Sequence, residues 1–478
     1  MNYATFFSGA GIGCYGFKSN GYDCVLTNEY LEERLAIQKL NNKCKSDSQY
    51  IVGDIRDAVV RYSIEKILKE VSEKRGLDVL IATPPCQGIS LANHKKTPTE
   101  IVRNSLILES ILLTKKFKPK YFIYENVSGF LTSACSDSDG FDKEVSEVIS
   151  NHLSKNYYYE SFIFNLKNFS IPSSRTRTVV IGVRKDLNIH PLSIYPVPEK
   201  IITLKEAIGH LKSLSKPKET DPSDIFHFFR PYDEKMLPWI EKIKEGQSAF
   251  DQKDENRIPN KIIDGFKIIN QSKNADKYKR QKWNEVGPCI HTRSDTFSSQ
   301  NTVHPVDNRV FSIRELMILM SIPNEFNWTK EDKLISNYEE IKKYELNIRK
   351  AIGEAFPTRF LDLISKNILK KNKLDFEDAN GIQEFITKYI GYKNYEVTTS
   401  NSNSLSTQAF EIIKNCIFYN RLNKTSLERC KVYVGNDFGE QECDLIFSTR
   451  KLLDQVLLFK LNKIYIYKKN DAKNPSLF

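Results

Sequence analysis

Along the first 185 residues, short apolar runs of strand length alternate with longer stretches whose apolar positions recur at helical spacing. Strands are predicted at Tyr3 to Phe7, Asp23 to Asn28, Asp78 to Ala82, Tyr121 to Glu125 and Thr178 to Val183. Helices are predicted over Ile64 to Lys74 and Ser105 to Lys116, with Pro119 closing the second before the next strand begins. This repeated strand, helix, strand order predicts an α/β domain on a largely parallel sheet. From 186 to 308 the alternation is lost in a lysine-rich stretch punctuated by prolines at 191, 196, 198, 217, 222, 231, 238, 259 and 288, which reads as a smaller inserted domain. Helical periodicity returns at Ser312, which can cap a helix with Glu315 three residues on, and runs to about Lys373. The expected organisation is therefore 1–185 plus 309–373 as one domain, 186–308 as a second, and 374–478, with its polar break at Thr398 to Ser406, as a C-terminal extension.

Composition narrows the classes. The 478 residues suit two to four domains at roughly 100–200 residues each. A hydrophobic share of 40% with 27% charged residues excludes disorder over most of the length. No apolar run approaches the roughly 18–20 residues needed to cross a bilayer, and the first residues lack a basic stretch ahead of an apolar one, so a cytoplasmic protein without a membrane partner is expected. The net charge of +11 favours a polyanionic partner. Nine cysteines with no CxxC pair support neither a zinc ribbon nor a disulfide framework; no metal is expected, and any special cysteine should be a reactive thiol.

Candidate chemistry gathers at strand ends. FFSGAGIGCYGF places Gly9, Gly11 and Gly13 between a strand and a helix, where a cofactor can approach the backbone closely. Glu29 follows the second strand and Asp54 the third, positions from which carboxylates can meet ribose hydroxyls and an adenine amine. In ATPPCQGIS, Pro84 and Pro85 stiffen the backbone ahead of Cys86 just past an apolar strand, a poor setting for an inert core thiol. Glu125, in YFIYENV, lies at the same expected sheet edge. Arg175 and Arg177, two apart in an extended run, should point to one face.

These residues resemble, in order and spacing, the cytosine-5 DNA methyltransferases of bacterial restriction-modification systems: the glycine turn, Glu29, GDI, PPCQ, ENV, the paired arginines, a variable region, then RVFSIRELMILMSIPNEF and IGEAFP. PPCQ followed by ENV is the most specific part. The resemblance covers about residues 1 to 370 and implies a Rossmann-like S-adenosylmethionine-dependent methyltransferase domain, with 186–308 as the target-recognition domain. It implies a cofactor site of Phe7, Gly9, Gly11, Glu29, Asp54, Ile55, Pro85 and Leu106, with Phe7 stacking near the adenine. It assigns catalysis to Cys86 as the nucleophile on carbon 6 of a flipped-out cytosine, Glu125 at ring nitrogen 3 and Arg177 at the exocyclic oxygen, with Arg175 the fourth catalytic residue. The chain departs from the family pattern at Ser173, where Gln is usual, at Glu354, where the amide of Asn is usual, and at Thr5, where Asp is common.

Double-stranded DNA is the expected partner. The loop after Cys86, with Gln87, Ser90, His94, Lys95, Lys96 and Arg103, carries charge enough to close over phosphates. In 186–308, which is near neutral as a whole, Lys277, Lys279, Arg280, Lys282 and Arg293 interleave with Tyr278, Trp283 and His291, and Lys279, Arg280, Lys282 and Arg293 are the expected DNA contacts. A monomer is expected, with any cognate restriction endonuclease acting separately. An RNA cytosine methyltransferase on the same fold and a catalytically silent DNA-binding relative are the alternatives. The acidic cluster Asp437, Glu440, Glu442 and Asp444 could hold Mg²⁺ in a nuclease, but no Glu-x-Lys follows at a persuasive distance, so a structural or DNA-clamping extension is preferred.

Overall fold

The computed structural model describes residues 1–85, 105–187, 191, 194–196, 198–270, 275–330, 332 and 334–371, and beyond these only the backbone of six short strands between 376 and 468. Cys86, Gln87, Ser90, His94, Lys95, Lys96, Arg103, Asp437 and Glu440 lie outside the described residues. The chain divides into two compact units: Met1–Lys155 with Ile163–Val179 and Glu199–Asp362, and Asn156–Phe162 with Val180–Pro198 and Leu363–Phe478.

In the first unit, β1 (Asn2–Phe6), β2 (Asp23–Glu29), β3 (Tyr50–Val52), β4 (Val79–Ala82) and β5 (Tyr121–Asn126) alternate with α1 (Tyr15–Ser19), α2 (Glu32–Leu40), α3 (Ala58–Lys74) and α4 (Leu106–Phe117). The strands pair in parallel, and β1, β4 and β5 are buried along their whole length, as expected of a sheet covered on both faces. The seven-stranded order is β3-β2-β1-β4-β5-β7-β6, where β6 is Tyr157–Asn165 and β7 is Thr176–Arg184. The register sets the functional edge: Phe6 pairs with Asn28 and with Ala82, and Ala82 pairs with Tyr124. The residues just past these positions, namely Phe7 to Gly11, Glu29, Pro84, Pro85 and Glu125, therefore emerge at one carboxyl edge.

The predicted strands and helices match these elements to within one or two residues at each end, except that α3 begins at Ala58, six residues before the predicted Ile64. The periodic stretch after Ser312 is three helices instead of one: α5 (Ile313–Leu319), α6 (Tyr338–Glu354) and α7 (Thr358–Lys371). Ser321, at φ 54, and Pro323 end the first, and Pro357 separates the other two. Ser312 caps α5 as expected, with its side chain accepting from the Glu315 amide and the Glu315 side chain accepting from the Ser312 amide.

Two apolar clusters build the first unit beyond the sheet. One gathers Ala10, Ile12 and Ile37 with Leu204, Phe226, Phe228, Ile313, Leu316, Ile348 and Ile352. At its margin Arg309 and Glu315, each with a side chain 1% exposed, form a two-pronged ion pair at 2.7 Å. Burial alone would raise the Glu315 carboxyl, but Arg309 and then His304 outweigh it and hold the group far below the ordinary range. The second cluster packs Trp239, Ile240, Ile243, Ala249, Tyr278, Phe297, Val303 and Val310.

Arg280 belongs to this second cluster and not to a DNA-facing surface, which corrects the expectation for it. Only 4% exposed, its guanidinium donates to the carbonyls of Ile240, Ile243, His304, Val306 and Asp307 and to Asn308 Oδ1. A cation whose donors all go inward has none left for phosphate. Arg280→Ala should therefore unfold this region, lowering stability by about 3 kcal/mol or more because several buried carbonyls lose their donor. A denaturant midpoint measured beside wild type checks this; an unchanged midpoint would mean the clamp carries no weight.

Candidate active site

The glycine turn is held from both sides. After β1 the chain turns left-handed at Phe7 (φ 56), Gly9 (φ 51) and Gly11 (φ 80). Such a φ is uncommon for a phenylalanine, and strained backbone concentrates at ligand sites. The Phe7 carbonyl accepts from Thr83 Oγ1 at 2.8 Å, tying the turn to the end of β4. The Glu29 carboxylate accepts from the Gly9 amide at 2.7 Å and from the Leu31 amide at 3.1 Å. It is 9% exposed, so its direction is fixed before any ligand arrives. A Cβ built on Gly9 meets nothing within 4 Å, so the turn faces open space.

Further along the edge, Asp54 is gripped by Arg56 through Nε at 3.0 Å and Nη2 at 2.7 Å, and that guanidinium holds its carboxyl below the usual carboxylate range. Ile55 is 1% exposed, with its side chain in the core. Leu106 is half-buried at the start of α4, Pro84 is buried and Pro85 exposed.

Two strands along the same edge from the glycine turn is a carboxyl-guanidinium pair. Glu125, 8% exposed at the end of β5, meets Arg177 Nε at 3.1 Å. Burial pushes the Glu125 carboxyl up, against the pull of Arg177 and Arg175, so it keeps a proton to higher pH than an ordinary glutamate. Asn126 donates to the Pro84 carbonyl at 3.1 Å and so fixes the diproline that leads to Cys86 against the end of β5.

Arg175 and Arg177 meet different partners. Arg175, 3% exposed, donates to the Ile290 carbonyl at 2.7 Å and the Gly353 carbonyl at 3.3 Å. It ties the start of β7 to the segment at Ile290 and to the last turn of α6. The departures have local answers as well. Ser173 Oγ donates to the Pro288 carbonyl at 2.7 Å, and the Glu354 carboxylate is met by Arg34 Nε at 3.0 Å. Thr5 accepts from buried Lys43 at 3.1 Å.

The other expected DNA-facing cations of 186–308 are each paired. Lys279 meets Asp276 at 3.2 Å, Lys282 meets Glu285 at 2.7 Å and Arg293 meets Asp295 at 3.0 Å. Their side chains are 33%, 47% and 70% exposed, so all three can exchange these partners for others. Sequence reasoning missed Gln38, Lys43, Thr83 and the anchoring role of Asn126. Thr83 and Asn126 sit inside ATPPCQGIS and ENV, whereas Gln38 and Lys43 sit at no spacing that marks a motif; all four matter because of which atoms they reach.

A left-handed glycine turn with an anchored carboxylate and, on the same open α/β edge, a buried carboxyl-guanidinium pair beside a diproline make up the candidate site. The C-5 cytosine-specific DNA methylase family matches residues 1–370, and the chain belongs to that family: it is a DNA cytosine-5 methyltransferase. Type II methyltransferase M1.HgaI of Avibacterium volantium is 30% identical over 382 residues, covering 77% of this chain and 98% of the relative. Type II methyltransferase M.DdeI of Desulfomicrobium norvegicum is 24% identical over 412 residues, covering 80% and 91%. A candidate DNA modification methyltransferase encoded within an Escherichia coli prophage shares the fold, with a TM-score of 0.54 at 16% identity over 78% of this chain and 99% of that one. Among the described residues, no helix is long and apolar enough to cross a membrane.

Proposed function

We propose that the chain methylates carbon 5 of a flipped-out cytosine in a specific short duplex sequence, through a covalent Cys86 adduct at carbon 6, as the modification enzyme of a restriction-modification system. The observation that carries this is the buried Glu125–Arg177 pair beside the Asn126-anchored diproline that runs into Cys86.

The chemistry needs this arrangement, because carbon 5 of cytosine is a weak nucleophile until something adds at carbon 6. The Cys86 thiolate forms the bond to carbon 6, Glu125 supplies a proton or hydrogen bond at nitrogen 3, and Arg177 holds the exocyclic oxygen as charge develops. S-adenosylmethionine supplies an electrophilic methyl group when bound. The residues fit it: the open left-handed turn at Gly9 and Gly11, the preset Glu29 carboxylate for the ribose hydroxyls, and Phe7 beside the turn. After carbon 5 gains its methyl, loss of the carbon 5 proton to a base returns the electron pair that expels Cys86 as thiolate. A base stacked in a duplex cannot reach the edge, so it must be flipped out at a cost of a few kcal/mol.

Tritium transfer from S-adenosylmethionine to duplex DNA and to tRNA tests the reading in one assay. Label on DNA at one sequence supports it, label on tRNA supports the RNA alternative, and no label on either supports the silent one.

The segment 186–308 is proposed to recognise the target, with Lys279, Lys282 and Arg293 on phosphates. Replacing these three with Ala, and leaving Arg280 in place, should weaken binding to all sequences and lower the salt slope by roughly 0.9 for each phosphate no longer neutralised. Affinity against salt, with cofactor affinity by calorimetry in the same variant, checks this. An unchanged slope would move the recognition surface elsewhere.

A further inference from the structure

Below the glycine turn lies a buried ammonium group that the chemistry described above does not use. Lys43 is 7% exposed, and its Nζ donates to Thr5 Oγ1 at 3.1 Å, Thr27 Oγ1 at 2.9 Å and Gln38 Oε1 at 2.8 Å. These three acceptors are all neutral. A buried cation of this kind is costly to keep and weak as a source of stability, since an apolar side chain of similar shape often serves as well.

What the ammonium does is orient an amide. It can only donate, so Gln38 must turn its oxygen toward Lys43, and Thr27 Oγ1 donates to that same oxygen at 2.8 Å. The Gln38 Nε2 is thereby aimed the other way. It donates to Ser8 Oγ at 2.9 Å and to the Gly9 carbonyl at 2.6 Å. Gly9, whose amide is held by Glu29, thus has its carbonyl held by Gln38. Gly11 rests on the same side chain: a Cβ there would lie 2.9 Å from Gln38 Cγ and 3.6 Å from Lys43 Cδ. The 1%-exposed Gln38 is therefore a strut between the buried ammonium and the turn.

We infer that Lys43 and Gln38 are positioning residues for cofactor binding, the ammonium fixing the Gln38 amide so that it locks the left-handed turn at Gly9 in its ligand-ready shape. This rests on reading that turn as the S-adenosylmethionine cradle. It also accounts for Thr5: a carboxylate there would pair with Lys43 and draw it away from the amide, whereas a hydroxyl shares it.

The test compares Lys43→Met, Gln38→Glu and the double variant Lys43→Met/Gln38→Leu with wild type. Calorimetry measures S-adenosylmethionine and S-adenosylhomocysteine affinity; KM for cofactor, kcat, DNA affinity and melting temperature are measured alongside. In Gln38→Glu the new carboxylate can still accept from Lys43 but offers the Gly9 carbonyl no donor. It should bind both cofactor forms about tenfold more weakly or worse, with a melting temperature no lower than wild type. Lys43→Met should lose about tenfold in cofactor affinity, with KM raised and kcat at saturation within about twofold. The double variant should lose no more than the worse single, because both changes act through one strut. DNA affinity should not move. Unchanged cofactor affinity in Gln38→Glu, or losses that follow the melting temperature across the set, would overturn the inference. A wild type that binds neither cofactor form would instead overturn the reading of the turn itself. Should Lys43→Met fail to fold, Gln38→Glu alone decides.

Discussion

Cys86→Ala is expected to lose methyl transfer by about four orders of magnitude or more, with affinities for S-adenosylmethionine and duplex DNA within a few-fold of wild type. The reason is the order of events on the proposed route: with no bond at carbon 6, carbon 5 would not become a nucleophile, however well the substrates are held. Single-turnover kinetics at saturating DNA and cofactor would read the loss directly. A companion result concerns the adduct. On duplex DNA carrying 5-fluorocytosine the wild type should become trapped in a complex that survives denaturation, since fluorine cannot leave as the proton does, and Cys86→Ala should form none. Turnover in Cys86→Ala, or no trapped complex from an active wild type, would refute the covalent route.

The second large effect is at Glu125. Glu125→Gln keeps the shape but cannot exchange a proton at nitrogen 3, and it leaves Arg177 buried without its counter-charge. The turnover rate should fall by about 10²–10⁴, the usual range for a positioned acid. The pH dependence gives a sharper reading. Burial raises the Glu125 carboxyl, so its protonated form is favoured at low pH and disappears as pH climbs through the raised value. Wild-type turnover should therefore have an alkaline limb from this group, separate from the acid limb set by thiolate formation. The alkaline limb should vanish in Glu125→Gln and the acid limb remain. The same sign governs stability: any contribution of protonated, buried Glu125 is complete at pH values below the ordinary carboxyl range and is lost as pH rises through the raised value. If both limbs persist in the variant, another group provides the proton.

The strands were legible because fully buried parallel strands read as continuous apolar runs, and Val79–Ala82 and Tyr121–Asn126 are such runs. The chain direction then placed Glu29, the diproline and Glu125 at one edge without further information. Less could be read where partners lie far along the chain. Arg280 sits in a basic aromatic stretch that looks like a DNA contact, and only the carbonyls of Ile240 and Asp307 closing on it reveal a clamp. Arg175 and Arg177 look equivalent two residues apart, yet Ile290 and Gly353 take the first and Glu125 the second. Lys43 could not be distinguished from any surface lysine, because its burial follows from the packing of α2 against the turn. The region 186–308 gave no periodicity, since the two short hairpins among its described residues, at Thr220–Phe228 and Asn260–Ile269, carry little repeating pattern.

The apolar cluster that joins Ala10 and Ile12 of the glycine turn to Leu204, Phe226 and Phe228 bears on how such enzymes can exchange specificities. Residues from the segment assigned to target reading form one wall of the core on which the turn rests, and α5 fills the space between. A hybrid that took 199–308 from a relative of different specificity would bring only one wall, cut to fit another enzyme's α5. Such hybrids should fold poorly unless the exchange also carries 309–320, so that donor helix and donor wall travel together. Recombination between relatives would then be filtered first by core fit and only afterwards by the DNA sequence the hybrid reads.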